Sequence, residues 1–359
     1  MSDLTLARTA TETVMGMQVY EQAIDERAEV ALALADPDAQ LHRALVRSMR
    51  APLRGNRRIP MSAVRVAGPQ LRREVGRWLY PGHGPVHRLD LTLPPSPRGD
   101  IVTVHDIAPL RFPDEGKLPP SAHKELARAA AVITVSAFSA EEIVRHLGTP
   151  DPIVIPNGVD HQRFADARPL PESELRGLGV TGPYVLAAGG ASLRKNLDGM
   201  ARAWRLVRSS RPGLTLVLSG PPHPRRDRLF RSLPGVVRVG RVDDDMLPRL
   251  LAGCSTLVIP SLYEGFGLPA IEGMAAGVPV VAMDASSLPE VLGGSGILAD
   301  GSPQSLAEAI LWSAGNDAEV RSRVAAGRAR SLQFTWERSA AMHARVWADV
   351  IAGRTPRVV

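Results

Sequence analysis

Glu264-Gly-Phe-Gly-Leu-Pro-Ala-Ile-Glu272 follows the apolar run Thr256-Leu-Val-Ile-Pro260 and enters Ala270-Ile-Glu-Gly-Met-Ala-Ala276. The first run reads as a buried strand and the last as a short helix. Pro269 suits a helix start, where a missing N–H costs nothing. Gly277 suits the left-handed position past the helix end. One carboxylate thus lies on a strand-to-helix loop and the other on the first helical turn, with Gly265 and Gly267 between them. Free N–H groups at a helix start attract phosphate. Glu264 beside them would repel it, so this carboxylate is expected to face something neutral and rich in hydroxyls. The loop reads as a site for a sugar carried on a diphosphate.

On either side of this loop, apolar strand-like runs alternate with helical patterns, which argues for parallel sheets in an α/β architecture. Ile101-Val-Thr-Val104 is a short strand ending at His105-Asp106. Residues 121–131 fit a helix and 132–135 a second strand. Ser139-Ala-Glu-Glu142 reads as a capping box for a helix stopping near Gly148. Ile153-Val-Ile155 is a third strand, closed by Pro156-Asn-Gly158. Residues 161–182, rich in proline, glycine and charge, read as a linker. A second series starts at Tyr184-Val-Leu-Ala-Ala188, followed by Gly189-Gly190 and Arg194-Lys195-Asn196. Asn196 can cap the helix that follows. Further strands are expected at 214–218, 236–239, 278–282 and 296–298. Helices are expected at 246–252, from Ser302-Pro303 onward, and from about 335 to 352. Doubly wound sheets bind ligands beyond the carboxyl ends of their strands. Two such sheets facing each other would put His105 and the Glu264 loop on opposite walls of one cleft.

The 359 residues suit about two domains. A lone cysteine, Cys254, excludes an internal disulfide and argues for a reducing compartment. No leader pattern opens the chain, and no run is apolar enough for a membrane span. A cytoplasmic protein is expected. The formal charge of +6 is uneven: residues 41–78 hold ten arginines against one acid, Glu74, a net of +9. Such a block is either a solvated basic face or a contact for an anionic surface, such as the inner face of the membrane. Nucleic acid is not expected, because only Trp78 and Tyr80 offer rings for base stacking there.

Four landmarks stand at expected strand ends: His105-Asp106, Pro156-Asn-Gly-Val-Asp160, Arg194-Lys195-Asn196, and Glu264 to Glu272. In this order, from about residue 86 onward, the chain resembles the retaining, nucleotide-sugar-dependent glycosyltransferases of the GT-B fold. It resembles specifically their fourth family, with the Glu-x7-Glu motif. His105-Asp-Ile-Ala-Pro109 with Phe112-Pro113 is similar to members of polysaccharide or glycoconjugate assembly, often mannosyl- or rhamnosyltransferases. The resemblance implies two Rossmann-like, doubly wound parallel-sheet domains facing across a cleft. Residues 1–160 would form the acceptor-binding domain, with 335–359 packing back on it. Residues 161–334 would bind the nucleotide sugar.

The early part departs from the family pattern. Members usually open with a strand and a glycine-rich turn before a tyrosine-containing helix. The stretch from Thr9 to Tyr20 keeps one glycine, Gly16, and the tyrosine. Gly189-Gly190 also stands where many relatives have an arginine, so Arg194 and Lys195 would carry the phosphate charge.

The resemblance implies that Glu272 accepts hydrogen bonds from the ribose hydroxyls; simple compensation of the helix dipole is the plainer reading. Glu264 would contact the transferred sugar and stabilise positive charge near the anomeric centre. Backbone N–H groups of Gly265, Phe266, Gly267 and Leu268 would touch sugar or phosphate. His105 would position or polarise the donor sugar, or be structural. Asp106, Gly16 and Tyr20 are candidate acceptor contacts. Asp243-Asp-Asp245 reads as a helix cap, since neighbouring side chains do not converge on one ion without a special turn. No metal and no cofactor is expected beyond the nucleotide-sugar donor. The acceptor would be a glycan, a lipid-linked glycan or a small molecule. An epimerase or phosphorylase on the same fold, or a non-catalytic partner subunit, are the alternatives.

Overall fold

The computed structural model describes residues 2–11, 16–149 and 151–356. The chain divides into two compact units, 1–158 with 336–359, and 159–335.

Among the described residues the first unit holds seven strands: β1 (Asp3–Thr9), β2 (Gln40–Ser48), β3 (Arg57–Ile59), β4 (Val86–Arg88), β5 (Asp100–Thr103), β6 (Ala131–Thr134) and β7 (Ile153–Val154). They lie in the order β3-β2-β1-β4-β5-β6-β7, all parallel. Parallel neighbours need crossover connections, and helices such as Gly16–Ala35 and Pro69–Leu79 supply them. The basic stretch is therefore not one surface. In β2, Ala44 and Val46 are buried while Arg43 and Arg47 alternate onto the other face. Arg43 pairs with Asp25 at 2.9 Å and Glu29 at 3.4 Å. Arg72 is fully buried.

The final helix, Trp336–Ile351, packs along the helix Gly16–Ala35. A one-way chain of buried hydrogen bonds fixes it. The Trp347 indole donates to His87 Nδ1 (3.0 Å), and His87 Nε2 then donates to Thr103 Oγ1 (2.9 Å). Thr103 donates to the Tyr20 hydroxyl (2.9 Å), which donates to His343 Nε2 (2.8 Å). His343 Nδ1 ends the chain on the Ser339 carbonyl at 2.7 Å. Burial pushes both histidines down, His343 to about 4, so both rings stay neutral and the chain keeps its direction.

The second unit holds β8 (Tyr184–Ala188), β9 (Thr215–Ser219), β10 (Val236–Gly240), β11 (Thr256–Ile259), β12 (Val280–Met283) and β13 (Ile297–Ala299). Their order is β10-β9-β8-β11-β12-β13, again all parallel. On one face, Leu216, Val258 and Val281 bury against Met200 and Trp204 of the helix Leu197–Ser210 and Ile310 of the helix Pro303–Ser313. Asn196 caps the first of these helices from a left-handed conformation (φ 50°), accepting from the Gly199 N–H at 3.1 Å.

Several sequence expectations are corrected. The cap of the helix Ala137–Leu147 is Ser136, which accepts from Ser139 N–H, so the helix starts before the expected box. The helix expected over 121–131 is only Ala122–Leu126, because β6 begins at Ala131. The expected linker contains two short helices, His161–Ala165 and Glu172–Gly177. A helix over Ala318–Ser331 was not foreseen; its arginine-rich pattern lacks a broad apolar stripe. Asp245 precedes the helix Met246–Gly253 but its carboxylate makes no cap bond. Among the described residues, no helix is long and apolar enough to cross a membrane.

Candidate functional site

In the second unit the strand order reverses between β8 and β11. At such a switch point the loops leaving the two strands turn away from each other and leave a crevice beyond their carboxyl ends. The loop after β8 carries Arg194 and Lys195, and the loop after β11 carries Glu264. Lys195 Nζ meets Glu264 Oε1 at 2.6 Å and Arg194 Nη1 meets Oε2 at 2.8 Å. Arg194 also donates to the Tyr263 carbonyl at 3.1 Å, and Leu262 N–H donates to the Arg194 carbonyl at 2.8 Å. The two loops are thus tied at both side chain and backbone.

This arrangement revises the reading of Glu264. Its carboxylate does not look onto a neutral surface; each oxygen is held by a cation. Burial pushes its pKa up, but Lys195 and then Arg194 outweigh burial and hold it at about 2. Glu264 is therefore an anion at any physiological pH and cannot serve as a proton donor. Its backbone is fixed as well. Glu264 N–H donates to Ser286 Oγ and Ser287 Oγ donates to the Glu264 carbonyl, both at 2.9 Å.

The helix Leu268–Ala276 starts directly after this loop, with Gly267 as its N-cap at φ 94°. A Cβ on Gly267 would lie 2.9 Å from Leu288 Cδ2, and Leu288 is fully buried. Gly267 therefore answers both to a left-handed backbone and to close packing. Gly265 is buried and Leu268 half-buried. The Phe266 side chain packs edge-on against Phe334 at 5.6 Å, so only its backbone can serve a ligand. The N–H groups of Gly267 and Leu268 have no acceptor among the described residues, as expected at a helix start.

Glu272 lies one helical turn past Leu268, roughly 6 Å along the axis. It is half-buried and makes no hydrogen bond among the described residues. Burial pushes its pKa up to about 7, against the opposing pull of Arg163. The two carboxylates of the motif thus occupy opposite environments.

A cavity of about 20 Å³, room for about one water molecule, lies at this crevice and is lined by Gly189, Gly190, Lys195, Ser261 and Glu264. Arg226 also lines it, and the sequence reading missed it. Its guanidinium is buried, bonds to the carbonyls of Pro221 (2.8 Å), Gly189 and Gly190 (3.1 Å), and leaves Nε without a partner. Its place on the short helix Pro224–Phe230 that follows β9, another strand of this sheet, was the available signal. Ser286 and Ser287 follow β12 in the same way.

In the first unit, His105 follows β5. Its Nε2 is buried and has no partner, while a hydrogen bond ties the ring to the Leu89 backbone, leaving Nδ1 as the bonded nitrogen. Burial pushes its pKa down to about 4, against Asp90 and that bond. The ring is neutral, with Nε2 as acceptor. Tyr20 packs edge-on against His105, with ring centroids 4.5 Å apart. Tyr20 is wholly buried and its hydroxyl is used within the core, so its assignment as an acceptor contact is corrected: it supports the His105 ring. Asp106 Oδ1 accepts from Ala108 N–H at 2.9 Å and starts the short helix Ala108–Arg111. Gly16 is exposed at the start of its helix; residues 12–15 of the expected first loop lie outside the described residues. No group of three His, Cys, Asp or Glu side chains able to hold a metal ion occurs among the described residues.

Comparisons with known proteins give the family and the fold. The family model for Glycosyl transferases group 1 matches residues 182–316, and that for Glycosyltransferase Family 4 matches residues 86–163. The O-antigen chain mannosyltransferase B of Escherichia coli is 34% identical over 276 residues, covering 72% of this chain and 71% of that protein. A GDP-mannose-dependent alpha-(1-6)-phosphatidylinositol dimannoside mannosyltransferase of Mycobacterium tuberculosis is 30% identical over 223 residues, covering 60% of this chain and 58% of that protein. Among solved structures, sucrose-phosphate synthase from Thermosynechococcus elongatus superposes with a TM-score of 0.74 at 20% identity, covering 98% of this chain and 100% of that one. The chain belongs to the family 4 glycosyltransferases, as a glycosyl-transferring enzyme of the GT-B fold.

Proposed function

We propose that the enzyme is a retaining hexosyltransferase that moves mannose from a nucleoside diphosphate to an acceptor hydroxyl in glycoconjugate assembly. The observation that carries this reading is the clasp of Glu264 by Arg194 and Lys195 beside a free helix start, with unpartnered Glu272 one turn on. Mannose is favoured because the two relatives described above are named mannosyltransferases, one of them GDP-mannose-dependent.

In this reading the diphosphate lies against Arg194, Lys195 and the N–H groups of Gly267 and Leu268. Positive charge and aimed N–H groups stabilise the leaving group without covalent chemistry on phosphorus. We assign them the part a divalent ion would otherwise play. Glu272 takes the ribose hydroxyls. Permanently ionised Glu264 stabilises positive charge at the anomeric carbon. The bond from the anomeric carbon to the diphosphate oxygen breaks, and the acceptor oxygen bonds that carbon on the same face. The acceptor proton passes to the departing phosphate oxygen. The first unit would hold the acceptor, a glycan, lipid-linked or small-molecule hydroxyl. Its helix Pro69–Leu79 exposes Leu71 and Trp78 beside arginines, which favours contact with an anionic membrane surface.

Proton NMR of the first-formed product from GDP-mannose, with and without EDTA, tests the reaction. The donor's anomeric configuration is expected in the product, at an undiminished rate in EDTA. An inverted product, or activity abolished by EDTA and restored by a divalent ion, would refute the reading.

A further inference from the structure

A second cavity, of about 250 Å³, opens in the first unit. It is far larger than the roughly 10–15 Å³ one water requires. Its rim includes Gly99 and Asp100 at the start of β5 and Ala130 just before β6. His105 follows the other end of β5. Five residues of extended chain put roughly 16 Å between the two places, so this cavity belongs to the amino-terminal end of the strands.

Its floor is a closed electrostatic unit. Arg88 holds both oxygens of Asp100, at 2.8 and 2.6 Å, and Arg72 holds Glu125 at 2.5 Å. Arg88 also reaches Glu125 at 3.2 Å. Two buried acids thus meet two buried arginines. Three further cations line the cavity: Arg73, Lys124 and Arg128. All three are exposed, and their side chains have no ion pair or hydrogen bond among the described residues. Glu74, next to Arg73 in sequence, is engaged by Arg77, and Glu125, next to Lys124, is already held by Arg72 and Arg88. Nothing in the floor therefore balances them, and a concave wall of low dielectric concentrates their field.

The cavity wall is also fixed in advance. The Tyr80 hydroxyl donates to the Pro94 carbonyl at 2.6 Å, and Arg98 donates to the carbonyls of Gly82 and Tyr80. At Gly76 a Cβ would lie 2.0 Å from the Pro95 carbonyl oxygen, so the helix Pro69–Leu79 seats directly on this loop. A rigid recess with three unmatched cations suits a compact polyanion better than a chloride or a solvated face.

We propose that this cavity binds a phosphate-bearing ligand through Arg73, Lys124 and Arg128, independently of the donor site. Calorimetric titration of the full-length Lys195→Ala protein with inorganic pyrophosphate tests it, with the donor side weakened. One-to-one binding is expected, falling at least about tenfold when R73A, K124A and R128A are added. The three side chains are exposed, so the melting temperature without anion should be unchanged and reports that the variant is folded. Vesicles of phosphatidylglycerol provide a second arm. Displacement of pyrophosphate that depends on the same three residues identifies a lipid headgroup as the phosphate source; no displacement identifies a soluble one. Absence of pyrophosphate binding in Lys195→Ala, or binding unaltered by the three substitutions, overturns the proposal.

Discussion

Glu264 and Glu272 are chemically identical and eight residues apart, yet the fold sends them in opposite directions. Two cations hold the first at about 2, and burial, outweighing the pull of Arg163, pushes the second to about 7. For Glu272 the folded value lies above the ordinary one, so its burial is harmless at acid pH and costs stability as pH rises through about 7. A nucleotide whose ribose hydroxyls donate to this carboxylate needs it ionised. Nucleotide affinity is therefore expected to rise about tenfold from about pH 6 to pH 8, and Glu272→Gln should bind more weakly with a flatter profile. An unchanged pH profile in Glu272→Gln, measured by calorimetry, would remove the ribose assignment. At this scale the sequence was informative about residue identity and less so about partners. Arg194, Lys195 and Glu264 were legible because each stands at a strand end. That they clasp one another was not, since the contact joins residues about seventy positions apart. Arg226 escaped notice because a surface arginine and a buried one look alike until the carbonyls around it are known. Tyr20 was misread because its partners, Thr103, His105 and His343, are all remote in sequence.

Strands and helices were legible where local pattern and tertiary role coincide. β8, buried on both faces, reads as a continuous apolar run and was found at its observed boundaries, Tyr184–Ala188. β2 was hidden because its polar alternation belongs to a strand with one face under a helix, and its arginines looked like a charge block. The helix Pro69–Leu79 shows how that block is partitioned. At 100° per residue, Leu71 and Trp78 share one flank while Arg73 and Arg77 lie on the other, and Arg72 turns inward. Trp78 is 83% exposed, an unusual place for the largest apolar side chain. If this flank meets a membrane, Leu71→Ala with Trp78→Ala should weaken sedimentation with anionic vesicles several-fold or more. Binding by the wild-type protein should fall as salt rises. Vesicle binding indifferent to both changes would discard the membrane contact.

In the whole molecule, two units repeat one construction: a parallel sheet that reverses its strand order, with chemistry-bearing residues just past the carboxyl ends. That repetition was legible because apolar strand-like runs alternate with helical patterns in both halves, with the landmark residues at strand ends. The return of the final helix to the first unit depends on the Trp347–His87–Thr103–Tyr20–His343 chain, a set of contacts no local pattern encodes. The central claim is that the donor diphosphate is held at the switch point of the second sheet by Arg194 and Lys195. The most direct test is calorimetric binding to wild type and Lys195→Ala, using the nucleoside diphosphate that raises the melting temperature most in a panel. Loss of one charge-assisted bond predicts affinity about 10- to 100-fold weaker in the variant, with the unliganded fold intact. Equal affinity in the two proteins would contradict the account.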